Sequence, residues 1–185
     1  MTARREELLE KAYEFVLEHG LADLSLRPLA LSIGSSPRVL LYLFESKDGL
    51  VRELLARARR DELAVIGGIE GDLDAVTERL WEWLSAPEHR PLLVLWVEAY
   101  ARSMVDPTGA WAGFARRTVE DWLDVLARAQ SPAVRRTKAG LAERTRVLAL
   151  LRGALLDLLA TGDEARVGAA LGRTSAHERT RPASD

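Results

Sequence analysis

The stretch from Ser25 to Lys47, SLRPLALSIGSSPRVLLYLFESK, leaves the chain little freedom, because signals for three helix starts are crowded into it. Ser25 offers a hydroxyl to an orphan amide of a first turn, and Leu26, Leu29, Ala30 and Ile33 follow at helical spacing. Pro28 falls in that first turn, where its missing N–H has no intrahelical partner to lose. Gly34 then stands where a left-handed C-terminal residue is expected, and Ser35 or Ser36 caps a second helix with Pro37 at its first position. The result is a tight helix–turn–helix. In the second helix Leu40 and Phe44, four apart, face inward, which turns Arg38, Leu41, Tyr42 and the edge of Pro37 outward. Ser46-Lys47-Asp48 opens a third helix.

That outward face suits double-stranded DNA. A guanidinium near the start of such a helix pairs with a guanine edge or a phosphate, and a tyrosine hydroxyl reaches a phosphate oxygen. Lys47, beside the free amides of the third helix, makes a second phosphate anchor. Taken alone each has an ordinary structural reading, since an exposed arginine on a helix is usually a solvated charge; the motif around them favours contact. The formal net charge of −2 does not argue against this, because the basic charge is local. Between Ser25 and Arg60, seven basic residues (Arg27, Arg38, Lys47, Arg52, Arg57, Arg59, Arg60) stand against Glu45, Asp48 and Glu53. Phosphate attraction decays over a Debye length of about 8 Å at physiological salt, so the local sum governs.

Gly20, Ser25-Leu26-Arg27, Leu29-Ala30, Gly34-Ser35-Ser36, Leu40, Phe44 and Ser46-Lys47-Asp48-Gly49-Leu50 together resemble the TetR family of bacterial transcriptional regulators, over the first 55 residues or so. The resemblance implies a DNA-contact set of Ser25, Arg27, Ser36, Pro37, Arg38, Leu41, Tyr42 and Lys47, and a homodimer on a palindromic operator. It also implies a helical body that binds a small hydrophobic or aromatic effector, and a repressor as the outcome. The recognition helix departs from the family pattern. A small residue is usual where Arg38 stands, Thr or Ser where Val39 stands, and Tyr then His where Leu41 and Tyr42 stand. Base preference therefore does not carry over: Arg38 adds a possible guanine contact, and Leu41 exchanges a phosphate-binding hydroxyl for an apolar group that suits a thymine methyl.

The rest of the chain reads as an all-α protein, a three-helix head followed by a C-terminal helical bundle. Hydrophobic residues make up 48% of its 185 residues, enough for a continuous core, and no alternating β-branched run appears. Cysteine is absent, which excludes disulfides and thiolate metal sites. The opening MTARREELLEKAYEF lacks the apolar stretch of a secretion signal and no segment is long enough to span a membrane, so the cytoplasm is expected. The first helix is expected over Ala3–His19, with Leu8, Leu9, Ala12, Phe15 and Val16 inward. The helix after Ser46 runs to Gly67-Gly68, and the body follows in helices capped at Asp72 or Asp74, starting at Pro91, marked by Trp111 to Leu126, and running through Val147–Leu159 to Gly162. A short helix over Asp163 to about Leu171 completes it. Domain limits follow as 1–50 for the head, 51–173 for the body and 174–185 for a polar, disordered tail.

Two further expectations concern the body. Leu148, Leu151, Leu155, Leu158 and Leu159 belong to an apolar surface wider than one intrachain contact requires, and are assigned to a dimer interface. Trp81, Trp96, Glu98, Tyr100, Arg102, Trp111 and Trp122 are assigned to an effector pocket, with Glu98 and Arg102, four apart, as its polar groups. Tryptophans at helical spacing also make ordinary core, and Glu98 with Arg102 an ordinary helix pair. Catalysis is not expected: His19, His89 and His177 are scattered, no phosphate loop occurs, and neither metal nor cofactor is implied. The alternative is a helical small-molecule- or partner-binding protein that no longer reads DNA. Leu41 leaves room for it.

Overall fold

The computed structural model describes residues 3–21 and 23–178, with side chains as far as 171. It is all-helical there. In chain order the helices are α1 (Ala3–His19), α2 (Leu26–Ser32), α3 (Pro37–Phe44), α4 (Lys47–Ile66), α5 (Leu73–Ser85), α6 (Arg90–Val105), α7 (Phe114–Arg128), α8 (Pro132–Arg135), α9 (Lys138–Thr161) and α10 (Glu164–Glu178). None is long and apolar enough to cross a membrane.

The chain forms two compact units. The first comprises Met1–Val65 and Pro91–Asp121, the second Ile66–Arg90 and Trp122–Asp185. The boundary expected after residue 50 is thus not where the units part. The reason is in α4: Leu50, Val51, Leu54, Leu55 and Ala58 are all buried in the core of the first unit, together with Leu95 and Ala99 of α6 and Phe114 of α7. A helix with that much apolar surface in one core cannot be cut off it after its first turn.

In the first unit α1 packs on α2, and α2 on α3. The buried stripe of α1 is Leu8, Leu9, Ala12, Tyr13 and Val16, so Tyr13 takes the inward place expected for Phe15. Phe15 instead stacks on His19 with ring centroids 4.1 Å apart. Arg57 of α4 ties that helix to α1. Its guanidinium donates to Glu10 Oε1 at 2.8 Å, pairs with Asp61, and lies over the Tyr13 ring at 4.8 Å. Burial first, and the Asp61 carboxylate second, push the Tyr13 phenol well above its ordinary range.

In the second unit α9 carries the core. α5 packs against it from one side through Val76, Leu80, Trp83 and Leu84, and α10 from another through Val167 and Leu171. Leu148, Leu151, Leu155 and Leu158 of α9 are at most 8% exposed, and Leu159 is half-buried. These leucines are therefore not the free surface of a dimer interface. The apolar face of α9 is wide because two helices of its own chain cover it. α10 continues to Glu178, past the end expected near Leu171 and into the tail expected to be disordered; residues 179–185 lie outside the described residues.

Candidate nucleic-acid interface

The turn between α2 and α3 is built by backbone bonds that the sequence makes obligatory. Gly34 adopts φ +65°, the Ser35 amide bonds back to the Ala30 carbonyl at 2.8 Å, and the Gly34 amide to Leu31 at 3.3 Å. This closes α2 with the paired 6→1 and 5→2 bonds that a left-handed residue permits. Ser36, not Ser35, caps α3: its Oγ accepts from the Val39 amide at 3.3 Å, with Pro37 at the first helical position. Ser25 sits at the cap position of α2 in extended backbone, but its hydroxyl makes no cap bond. The expected cap is therefore not formed, and Ser25 is exposed.

α3 presents its two faces as its apolar spacing requires. Leu40 and Phe44 are buried, whereas Arg38, Val39, Leu41 and Tyr42 are exposed, Tyr42 by 84%. Arg38 makes no hydrogen bond or ion pair with any described residue, so its donors are available. Behind α3, Ser46 caps α4 by accepting the Gly49 amide at 2.9 Å, which sets Lys47 at the first position of a 20-residue helix.

The openings of three helices then meet. A groove of about 660 Å³ is lined by Ser25, Leu26 and Arg27 from the start of α2, Pro37 from the start of α3 and Lys47 from the start of α4, with Asp23 and Leu24 completing it. Four residues of the expected DNA set thus share one concave surface, and Arg38, Leu41 and Tyr42 lie on the adjoining exposed face of α3. Two cations, Arg27 and Lys47, stand there against one acid, Asp23. A groove with that balance, lined by the first residues of α3 and α4, suits an anionic oxygen.

Sequence reasoning missed several members of this region. Asp23 lies just outside the motif and carries no signal of its own. Leu31, 83% exposed on α2, lies off the apolar stripe formed by Leu26, Leu29, Ala30 and Ile33. Arg5 is the most consequential. From α1 its Nε donates to the Leu43 carbonyl at 3.2 Å, its Nη2 pairs with Glu53 of α4 at 3.0 Å, and its guanidinium lies 5.0 Å from the centre of the Phe44 ring. It holds the end of α3 between α1 and α4, a role that sequence distance conceals. The local basic excess is also smaller than the sequence suggests. Arg57 is held by Glu10 and Asp61 and Arg59 by Asp121, bonds that make both guanidiniums still harder to deprotonate.

The residues expected to line an effector pocket divide between the units. Trp96, Glu98, Tyr100, Arg102 and Trp111 belong to the first, Trp81 and Trp122 to the second. Trp96 stacks on Tyr100 at 5.0 Å. The Oε2 of Glu98 accepts the Leu21 amide at 2.9 Å and braces the α1–α2 connection. Arg102 is exposed, Trp122 is buried, and Trp111 ends a 3₁₀ turn, Gly109–Trp111, ahead of α7.

No protein-family model matches the chain, and no curated protein matches it in sequence. Solved structures do match in fold. A TetR transcription regulator from Haloarcula marismortui has a TM-score of 0.75 at 20% identity, over 95% of this chain and 96% of that one. A protein from Saccharomonospora viridis, described as a transcriptional regulator and solved with choline, has a TM-score of 0.74 at 21% identity, over 96% and 97%. The multidrug binding protein EbrR, complexed with proflavin, has a TM-score of 0.66 at 24% identity, over 92% and 98%. The chain has the fold of TetR-family regulators over nearly its whole length.

Proposed function

We propose that this chain is a sequence-specific, DNA-binding transcriptional regulator, acting in the cytoplasm as a ligand-responsive repressor rather than as an enzyme. The observation that carries the reading is the convergence of Ser25, Arg27, Pro37 and Lys47 on one groove beside the exposed Arg38, Leu41 and Tyr42. Arg38 reads a guanine edge, Tyr42 donates to a phosphate, Leu41 covers a thymine methyl, and Arg27, Lys47, Ser25 and Ser36 hold the backbone. The likeness to regulators supports this, and the choline and proflavin bound by two of those proteins support an effector-responsive body.

A single head buries too little to hold a specific site tightly, which favours two copies. Their contact is placed on the outer side of α9, opposite its buried leucines. Ala149, Gly153, Leu156 and Ala160 are exposed there at spacings of four and three, and Gly153 has nothing within 4 Å of where a Cβ would stand. Small residues at that spacing let two helices approach closely around Leu156, which is 51% exposed. Two heads related by a two-fold axis then read an inverted repeat.

The test is selection from random duplex DNA by the purified protein, with Arg38→Ala in parallel. An enriched inverted repeat that weakens or changes with Arg38→Ala supports the reading. Absence of any enriched motif from folded protein at low salt refutes it and favours a helical binding protein that does not read DNA.

A further inference from the structure

A second cationic site lies away from the DNA face. In the first unit, α4, the 109–112 turn and the start of α7 enclose a cleft of about 250 Å³. Its apolar floor is Leu55, Ala110 and Phe114, each at most 6% exposed, and its rim carries Arg52, Arg59 and Arg117. Three guanidiniums around so small an opening is an arrangement that like-charge repulsion opposes, so each one's counter-charge is informative. Arg59 has one: Asp121 accepts two of its N–H groups, at 2.5 and 2.7 Å. Arg52 and Arg117 form no ion pair with any described residue. Arg117 donates one bond, to the Ala112 carbonyl at 3.1 Å, which ties its guanidinium to the turn that walls the cleft. Asp48 stands by that wall, its Oδ2 3.4 Å from where a Cβ on Gly109 would stand, and it forms no ion pair with Arg52 or Arg117.

We infer that this cleft binds a small organic anion, a carboxylate on a compact apolar body, with the carboxylate between Arg52 and Arg117 and the apolar part on Phe114 and Leu55. Three features select this class. Guanidinium groups match a carboxylate or phosphate in planar, charge-assisted pairs. The floor is apolar, so a bare phosphate loses hydration there without an apolar gain. The volume is below the usual range for drug-sized ligands, about 300–1,000 Å³, and admits a ligand the size of a single ring with its carboxylate. None of the six rim and floor residues belongs to the groove lined by Ser25, Arg27 and Lys47, so the site stands or falls independently of DNA reading.

The probe is sodium benzoate, titrated calorimetrically into the full chain at constant ionic strength, with benzyl alcohol and inorganic phosphate as comparisons. The expected result is saturable binding of one benzoate per chain below about 10 mM, with little or no binding of the two comparisons. The double variant Arg52→Gln/Arg117→Gln, at two exposed positions and with an unchanged melting temperature in the absence of ligand, should bind at least about tenfold more weakly. Ala56→Phe, which fills the cleft from an exposed position and leaves every charge in place, should abolish binding. The proposal is overturned if benzoate does not saturate, if benzyl alcohol binds equally well, or if the double variant binds as the parent does. It is overturned equally if the double substitution leaves benzoate untouched and lowers only the salt slope of DNA binding, which would assign the rim to the DNA backbone.

Discussion

Gly49 sits in the first turn of α4 with ordinary helical torsions, and Gly→Ala at such a place normally stabilises a helix by up to about 1 kcal/mol. Here the opposite is expected. A Cβ on Gly49 would stand 2.0 Å from the carbonyl oxygen of Phe44, the last residue of α3, where 3.0 Å is the least that real contacts tolerate. The two helices must therefore part by about 1 Å, and the carbonyl cannot swing aside, because it accepts the Ser46 amide at 2.7 Å. The residue between them, Glu45, already holds φ +67°, unfavourable for a side chain, so the connection has no slack to give. Overpacking of this kind costs about 1–3 kcal/mol, occasionally more, and the helix gain offsets at most about 1 of it.

Gly49→Ala is thus expected to destabilise by about 1–2 kcal/mol, a fall of about 2–8 °C in melting temperature for a chain of this size. It also displaces α3 from Lys47 and Arg27. Affinity for the selected duplex should fall at least tenfold, about 1.4 kcal/mol, measured by fluorescence anisotropy. Gly34→Asn is the internal control. Its φ of +65° suits Asn better than other side chains and nothing lies within 4 Å, so it should cost less than about 1 kcal/mol and leave DNA binding nearly intact. The reasoning is refuted if Gly49→Ala is as stable as the parent or more so and binds the duplex unchanged.

Arg5→Met should weaken DNA binding several-fold while leaving the slope of log affinity against log salt at the parent value, since Arg5 positions α3 without touching a phosphate; a reduced slope would make it a direct contact. Gly153→Arg, on the outer side of α9, should yield a monomer by analytical ultracentrifugation with the helix content retained, and a dimer unaffected by it would rule out that face. Leu151→Ala should cost about 2–5 kcal/mol in chemical denaturation because Leu151 is fully buried; a loss below about 1 kcal/mol would contradict that packing. Tyr13, raised by burial and by Asp61, should make stability constant below the ordinary phenol pKa of about 10 and falling as pH rises above it, because the unfolded chain ionises there first. Tyr13→Phe should remove that part of the alkaline slope, and an unchanged slope between about pH 10 and 12 would show that Tyr13 is not its source.

What the sequence discloses here follows the range of the interactions involved. The α2–α3 turn is legible because everything that makes it is within a few residues: Gly34 must take positive φ, Ser36 must cap, Pro37 must come first, and each signal is written at its own site. The outward direction of Arg38, Leu41 and Tyr42 follows from the same short period. Arg5 was illegible because its partners, Leu43 and Glu53, lie 38 and 48 positions away, where no periodicity reaches. The α9 leucines show a different limit. Their apolar width correctly signalled more than one partner, but a sequence cannot say whether a second partner is another helix of the same chain or another chain, because both bury the same surface at the same rate per Å². Glu98 shows the same limit of range: an i, i+4 acid and base look like a helix pair, yet the Leu21 amide, 77 positions away, donates to the carboxylate. The exposed face of α3 is thus readable from local rules, and the residues that hold it in place are readable only from the fold.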